Sequence, residues 1–237
     1  MFLTIYVILL TLLVLYLLYR IFKTQKVSQF NTIRVQKIEI VQPDGKPAFT
    51  LFNSINMPPP IIEGKEYPAN LRNGAGDANG IVFYNNNGDE IGGFAFGSGK
   101  DEKGIVGQGA HLSFDAFQQD EVFHIDFSQD GKKKYLEINA FNQPDKSIKP
   151  VFEKLTEINS IQDSTEKDRK MNEFKKWSKK EYKGAFIPIF SIKNKNGNAS
   201  IELNDKKGNL RIKLYIDEKG NPKLEFYDTI GKIIKSL

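Results

Sequence analysis

The chain contains no cysteine. That absence excludes disulfides, thiolate metal sites and cysteine nucleophiles, and it is neutral as to compartment. Histidine occurs only twice, at His111 and His124, and so few imidazoles argue against a metalloenzyme. Charge of either sign is missing from Phe2 to Tyr19, and acid is missing from the first 26 residues, where Arg20, Lys23 and Lys26 stand alone. The formal net charge of +5 therefore overstates the rest of the chain, which carries 31 basic and 29 acidic side chains. A domain so nearly balanced does not read as nucleic-acid-binding. Glycine and proline are missing from Val151 to Lys183, which removes the usual helix breakers from that stretch.

The uncharged run is mostly Leu, Ile, Val, Phe and Tyr. As a helix, about 20 such residues rise about 30 Å, the thickness of a bilayer's hydrocarbon core. A cleaved signal peptide wants a basic start, a shorter apolar run and small residues at the cut. Here no Lys or Arg precedes the run, and it leads into Leu18-Tyr19-Arg20. A core helix is rarely apolar on every face. The expectation is a single-pass anchor, in contact with lipid through residues 2–22. Arg20, Lys23 and Lys26, followed by Arg34 and Lys37, favour the cytoplasmic side for the soluble portion and leave the extracytoplasmic side as the alternative.

The remainder, roughly 210 residues, suffices for one good-sized domain or two small ones. Short apolar runs alternate with polar turns containing glycine. Arg34 to Val41 turns at Pro43-Asp44-Gly45-Lys46 into Ala48 to Phe52, and Ile81 to Tyr84 turns at Asn87-Gly88-Asp89 into Ile91 to Phe96. Val122 to Phe127 turns at Gln129-Asp130-Gly131-Lys132 into Tyr135 to Ile138. Gly197, Gly208, Gly220 and Gly231 follow at spacings of 11, 12 and 11, room for a strand and a tight turn each. Leu210, Ile212, Leu214 and Ile216 share one face, opposite Arg211, Lys213 and Tyr215. The alternation predicts antiparallel sheet with the apolar face buried and the polar face wet. Asn56 to Gly80 breaks the pattern as a long irregular loop that wraps the sheet or carries function. Val151, Leu155, Ile158 and Ile161, then Met171, Phe174 and Trp177, follow helical spacing, as one helix or two broken near Gln162-Asp163-Ser164.

The organisation expected is an anchor and basic segment (1–26), a β-rich part (27–149) with the 56–80 loop, a helical segment (150–184), and C-terminal hairpins (185–237) on the same domain. The fold class is mainly β, antiparallel hairpin repeats in one or two sheets with a helical segment at about 150–183, behind the N-terminal helix.

Four stretches carry a resemblance: Val35 to Val41 with Pro43-Asp44-Gly45, Ile61-Ile62-Glu63-Gly64-Lys65-Glu66-Tyr67-Pro68, Val82 to Gly93, and Gly109-Ala110-His111-Leu112-Ser113-Phe114-Asp115. Over residues 34–144 the chain resembles a family of β-rich bacterial proteins. The resemblance implies no activity, and it leaves the helical segment and last hairpins uncovered.

Chemistry is sparse. His111, Asp115, His124 and Asp126 would make a two-His, two-carboxylate metal site if their strands pair. The plainer reading has His111 ordering a turn and His124 on a wet face, and no metal or other cofactor is expected. Ser113 lacks a nucleophile-elbow context. Gly97-Ser98-Gly99-Lys100 lacks both the first glycine and the hydroxyl of a phosphate loop. Asp115, Asp120, Glu121 and Asp126 form an acidic patch without calcium-loop spacing. Lys167 to Lys183 is basic, and Lys170, Phe174, Lys175, Trp177, Lys179 and Lys180 are candidates for contact with an anionic membrane or a partner. Against that stands a helix packing Met171, Phe174 and Trp177 on the sheet with its lysines in water. The expected role is a membrane-tethered, non-enzymatic structural or protein-interaction domain, with a protein partner or self-assembly. A small-ligand or glycan-binding module using the 56–80 loop comes next, and a hydrolase third.

Overall fold

The computed structural model describes residues 2–23, 30–72 and 78–237. Lys26, the start of the 27–149 segment, and residues 73–77 of the 56–80 loop lie outside the described residues. The chain divides into two compact units, Met1–Val35 and Gln36–Leu237. In the first, α1 (Phe2–Lys23) has its apolar side chains from Phe2 to Tyr19 exposed, and Phe2–Arg20 is long and apolar enough to cross a membrane.

The second unit is built on one antiparallel sheet of twelve strands. Its strands are β1 (Lys37–Val41), β2 (Pro47–Phe52), β5 (Asn79–Tyr84), β6 (Glu90–Lys100), β7 (Val106–Asp115), β8 (Glu121–Asp130), β9 (Lys133–Asn142), β10 (Ile187–Lys195), β11 (Asn198–Asn204), β12 (Leu210–Ile216), β13 (Pro222–Tyr227) and β14 (Ile233–Ser236). Each pairs with the next in that order. The pairs β1–β2, β5–β6 and β8–β9, and the hairpins from β10 onward, are those the turn signals predicted. A recurring five-residue turn makes most of them. At Asp205-Lys206-Lys207-Gly208-Asn209 the Asp205 carboxylate accepts from the N–H groups of Lys207 and Asn209, and Gly208, at φ +85°, donates its N–H to the Asp205 carbonyl. The same bonds recur at Asn85, Asp101, Asp217 and Asp228, each with glycine three residues on at positive φ. A carboxylate or amide that folds back onto the turn and a glycine free to be left-handed are what such turns need.

The two faces of this sheet differ throughout. One row reads Ile38, Leu51, Ile81, Phe94, Leu112, Ile125, Ile138, Ile192, Ile201, Leu214 and Leu224, each directly opposite the next. Phe114, Phe123, Ala140, Phe190, Leu203, Ile212 and Phe226 lie beside it. None of these side chains is buried, and Phe114 and Leu214 stay 48% and 45% exposed. The row next to it, on the opposite face, reads Thr50, Val82, Gly93, Ser113, His124, Asn139, Ser191, Glu202, Lys213 and Glu225. There Thr50, Ser113, His124, Asn139 and Ser191 are buried. This inverts the expectation of a buried apolar face and a wet polar one. Alternation separates the two faces correctly, but which face is covered depends on where the non-sheet segments pack.

Those segments cover the polar face over the first half of the sheet. The 56–80 stretch is less irregular than expected. It holds a small hairpin, β3 (Ile61–Ile62) with β4 (Lys65–Glu66), and a 3-10 turn, Ala69–Leu71. Ile62, Tyr67 and Leu71 form a core with Ile148, against which Val151, Phe152 and Leu155 of α2 (Lys149–Ser160) pack. Phe52, Val82 and Tyr84 meet Met57 and Ile61 beneath. Polar anchors fix this roof. Arg72 is bidentate on Glu90 at 2.6 Å, Asp89 accepts from the Gly64 N–H at 2.6 Å, and the Gln119 amide donates to the carbonyls of Pro144 and Lys146. The chain then breaks at Ile161–Asp163. Asp163 caps α3 (Ser164–Glu181) by accepting the Glu166 N–H at 2.7 Å. The helical segment is thus two helices. Pro150 sits in the first turn of α2, where its missing N–H costs nothing.

Candidate functional site

The two histidines come together on the polar face. Pairing of β7 with β8 sets His111 opposite Asp126 and Ser113 opposite His124. The tight turn Ala116–Asp120 closes this hairpin, and the ladder slips between Phe114 and Asp115, so that Asp115 faces Glu121 while Phe114 faces Phe123. The extra residue, Val122, brings the Glu121 carboxylate to the face of the histidines. A bulge of this kind re-aims a side chain that strict alternation would send to the other side.

The geometry is a closed set of contacts. His111 Nδ1 lies 2.6 Å from Asp126 Oδ1, and its Nε2 lies 3.2 Å from Glu121 Oε2. His124 Nδ1 lies 3.1 Å from Glu121 Oε1, and its Nε2 lies 3.2 Å from Asp126 Oδ2 and 2.8 Å from the Asn139 Nδ2. The two rings meet edge-on at 5.6 Å, and Phe141 packs edge-on against His124. Hydrogen bonds to Asp126 and Glu121 outweigh burial and push His111 up to about 10. For Glu121 and Asp126, burial acts upward, but hydrogen bonds from the histidines win and hold both carboxyls below their usual range. Burial, with Glu90, Asp120 and Glu121 nearby, pushes Asp115 up to about 8, and burial raises Asp120 as well.

His111, Glu121, Asp115 and Asp120 edge a cavity of about 480 Å³ between sheet and roof. Its polar side holds Glu90, His111, Asp115, Asp120 and Glu121, and its apolar side holds Ile62, Leu71, Val151, Phe152 and Leu155. A neighbouring space of about 500 Å³ runs under the end of α3 and shares Gln119, Asp120, Ile148, Val151 and Phe186 with it.

The sequence candidates divide. His111, His124 and Asp126 are brought together, whereas no hydrogen bond joins Asp115 to either ring among the described residues. Glu121 takes its place, and His111, Glu121 and His124 are the three whose ligand atoms lie within 4.8 Å of one another. His111 sits within a strand and orders no turn, and His124 is 8% exposed, so the plain reading of both is corrected. Ser113 faces His124 across the ladder without a hydrogen bond to it. Gly97-Ser98-Gly99-Lys100 ends a strand, with no helix following. On α3, Phe174 and Trp177 are half-buried and pack on each other, and the Lys154 ammonium of α2 lies 4.8 Å from the Trp177 ring centre. Lys170 is half-buried beside Glu173, while Lys175, Lys179 and Lys180 are exposed. The aromatic face of α3 is therefore met by α2.

No family model matches the chain, and neither a curated protein nor a solved structure does. None of these comparisons supports the resemblance expected over residues 34–144, and no relative lends a role to the site.

Proposed function

We propose that this protein is a membrane-tethered, non-enzymatic assembly domain that associates with a second copy of itself through the apolar face of its sheet. The observation that carries this reading is the uninterrupted apolar row from Ile38 to Leu224, none of whose side chains is buried. Monomeric soluble proteins rarely leave apolar patches beyond a few hundred Å² bare. Twelve strands at about 4.8 Å span about 50 Å, and two to three apolar rows give on the order of 700–1,000 Å². A standard interface takes about 800 Å² from each partner, so the face is of the size a stable dimer needs. Two such faces stacked about 10 Å apart make a sandwich, and a two-fold axis lets each row meet its own copy. A helix able to span a bilayer, at Phe2–Arg20, would confine the copies to one plane and raise their effective concentration. The basic residues that follow the helix, against none before it, favour a cytoplasmic domain. Exposed Lys175, Lys179 and Lys180 suit the anionic leaflet on that side.

The test is the oligomeric state of the full-length chain in detergent, by analytical ultracentrifugation. A dimer that dissociates in Leu112→Asp and Ile125→Lys, with unchanged circular dichroism, is the expected result. A wild-type monomer, or a dimer indifferent to both substitutions, overturns the proposal. The cavity under the 57–72 segment favours a second reading, a site for a small ligand that is apolar on one side and cationic on the other.

A further inference from the structure

The geometry points to a binding site for one first-row divalent transition-metal ion, held by His111, Glu121 and His124 and open toward the cavity. Donor type and direction carry it. Two imidazoles and one carboxylate are the set that borderline ions such as zinc, cobalt and iron prefer. His111 Nε2 and His124 Nδ1 both face Glu121, at 3.2 and 3.1 Å, close to the edge length of a tetrahedron drawn around such an ion. The remaining nitrogens face away, His111 Nδ1 to Asp126 Oδ1 and His124 Nε2 to Asp126 Oδ2. The Asp126 carboxylate thus lies behind both rings, hydrogen-bonded to His111 Nδ1 and 3.2 Å from His124 Nε2. That outer support fixes the tautomer and aims the front lone pairs at one point, as metal-ligating histidines require.

Asn139 adds an independent observation. Its side chain is 4% exposed and touches His124 Nε2, yet its carbonyl oxygen has no partner. Turned by half a rotation, the amide would offer that oxygen to the Nε2–H and leave the Nδ1 lone pair facing Glu121. A buried acceptor without a donor is costly, and the Nε2–H tautomer that would satisfy this one is also the tautomer that leaves Nδ1 free to hold an ion.

Arg72 pairs with Glu90, so the carboxylates nearest the rings are Glu121 and Asp126. A dication held by Glu121 and two neutral rings carries the same charge of +2 as protons on both rings, so it replaces those protons without changing the net charge of the half-buried cluster. Only three protein groups would hold the ion, so its remaining positions face the cavity, where water or a ligand enters. This site is separate from the apolar face and holds whether or not the chain dimerises.

The experiment uses the full-length chain in detergent, stripped with a chelator and titrated with Co²⁺, then with Zn²⁺. Expected are one Co²⁺ per chain, visible absorption bands of a nitrogen–oxygen site, and displacement by Zn²⁺. His111 is the most exposed ligand, so His111→Ala should fold and should weaken binding by about 100-fold or more, whereas Asp126→Asn should keep one ion per chain and weaken it by about 10-fold to 100-fold. Glu121→Gln should follow His111→Ala. Absence of Co²⁺ uptake at millimolar concentration by the natively folded chain overturns the site. So does Zn²⁺ affinity unchanged in both His111→Ala and Glu121→Gln, which would mean binding elsewhere.

Discussion

The two faces of the sheet invert the usual relation between polarity and burial. On one face Thr50 and Ser191 are fully buried and Asn139 and His124 nearly so, and the 57–72 segment and α2 roof part of that face. On the other face Phe96, Phe114, Leu203 and Leu214 are 40–48% exposed. Folding of the lone chain therefore draws little burial energy from its most apolar surface. The covered half of the sheet is held by two small apolar cores in the roof and by polar anchors such as Arg72–Glu90. The lesson is that a meander of identical hairpins fixes which residues share a face. The segments outside the meander, which close over one side, decide which face becomes interior.

The sharpest way to break the comparison is to make the same truncation on both sides. Leu71→Ala removes a side chain that is 7% exposed in the roof core, and it should destabilise the domain by about 2–4 kcal/mol. Leu214→Ala removes one that is 45% exposed, and in a monomeric background such as Ile125→Lys it should cost about 1 kcal/mol or less. Urea unfolding of the two variants decides this. Equal losses in that background would mean that the apolar face is already packed within one chain.

Much of this was legible beforehand. The glycine spacing gave the hairpins, and the apolar period change at Pro150 gave the helical segment, because local turn and helix chemistry is written in neighbouring residues. An acid or amide three residues before each turn glycine, as at Asp205, Asp217 and Asp228, would have sharpened the turns further. The site was half legible. His111, His124 and Asp126 follow from alternation once their strands pair. Glu121 does not, since an odd position on a strand whose even positions carry His124 and Asp126 should face the other way. Only the bulge at Val122 turns it, and a bulge depends on ladder register that sequence pattern leaves open. Burial of the polar face was not legible at all. It depends on long-range packing of Ile62, Tyr67 and Leu71 against Ile148.

A second contrast lies in charge. The polar face beyond the roof carries paired ions, Lys193 with Glu137 and Glu202, and Lys213 with Glu202. Under the roof, Asp115 faces Glu121 across the ladder, an opposition of like charges that works against the fold. Burial chiefly, with Glu90, Asp120 and Glu121, pushes Asp115 up to about 8 from an ordinary 3.8. The folded state thus holds this proton more tightly than the unfolded one. The Asp115 contribution to stability must fall as pH rises from about 4 to about 8 and then level off. Asp115→Asn removes that dependence. In chelator, the variant should match wild type near pH 4 and exceed it by about 1–3 kcal/mol at pH 9, less than the full shift implies because neighbouring carboxylates relax together. Parallel curves across that range would show that Asp115 ionises as freely folded as unfolded.

The smallest effect tests how complete the roof is. Tyr67 is 2% exposed, its ring packs 5.4 Å from that of Phe152, and its hydroxyl has no partner. Ser191, fully buried beside Asn139 in the ladder, also has an unpartnered hydroxyl. Burying a hydroxyl without a hydrogen bond costs about 1–3 kcal/mol, whereas an apolar replacement of the same shape leaves the packing in place. Tyr67→Phe should therefore stabilise the domain by about 0.5–1 kcal/mol, and Ser191→Ala should be neutral or slightly stabilising. The opposite holds for Tyr182, whose hydroxyl donates to the Ser147 carbonyl at 2.6 Å, so Tyr182→Phe should cost about 0.5–1.5 kcal/mol. Thermal unfolding of the three variants at one pH gives the signs. A destabilised Tyr67→Phe would mean that an ordered water reaches the hydroxyl, and the roof over the polar face would then be wet inside where its apolar core is drawn dry.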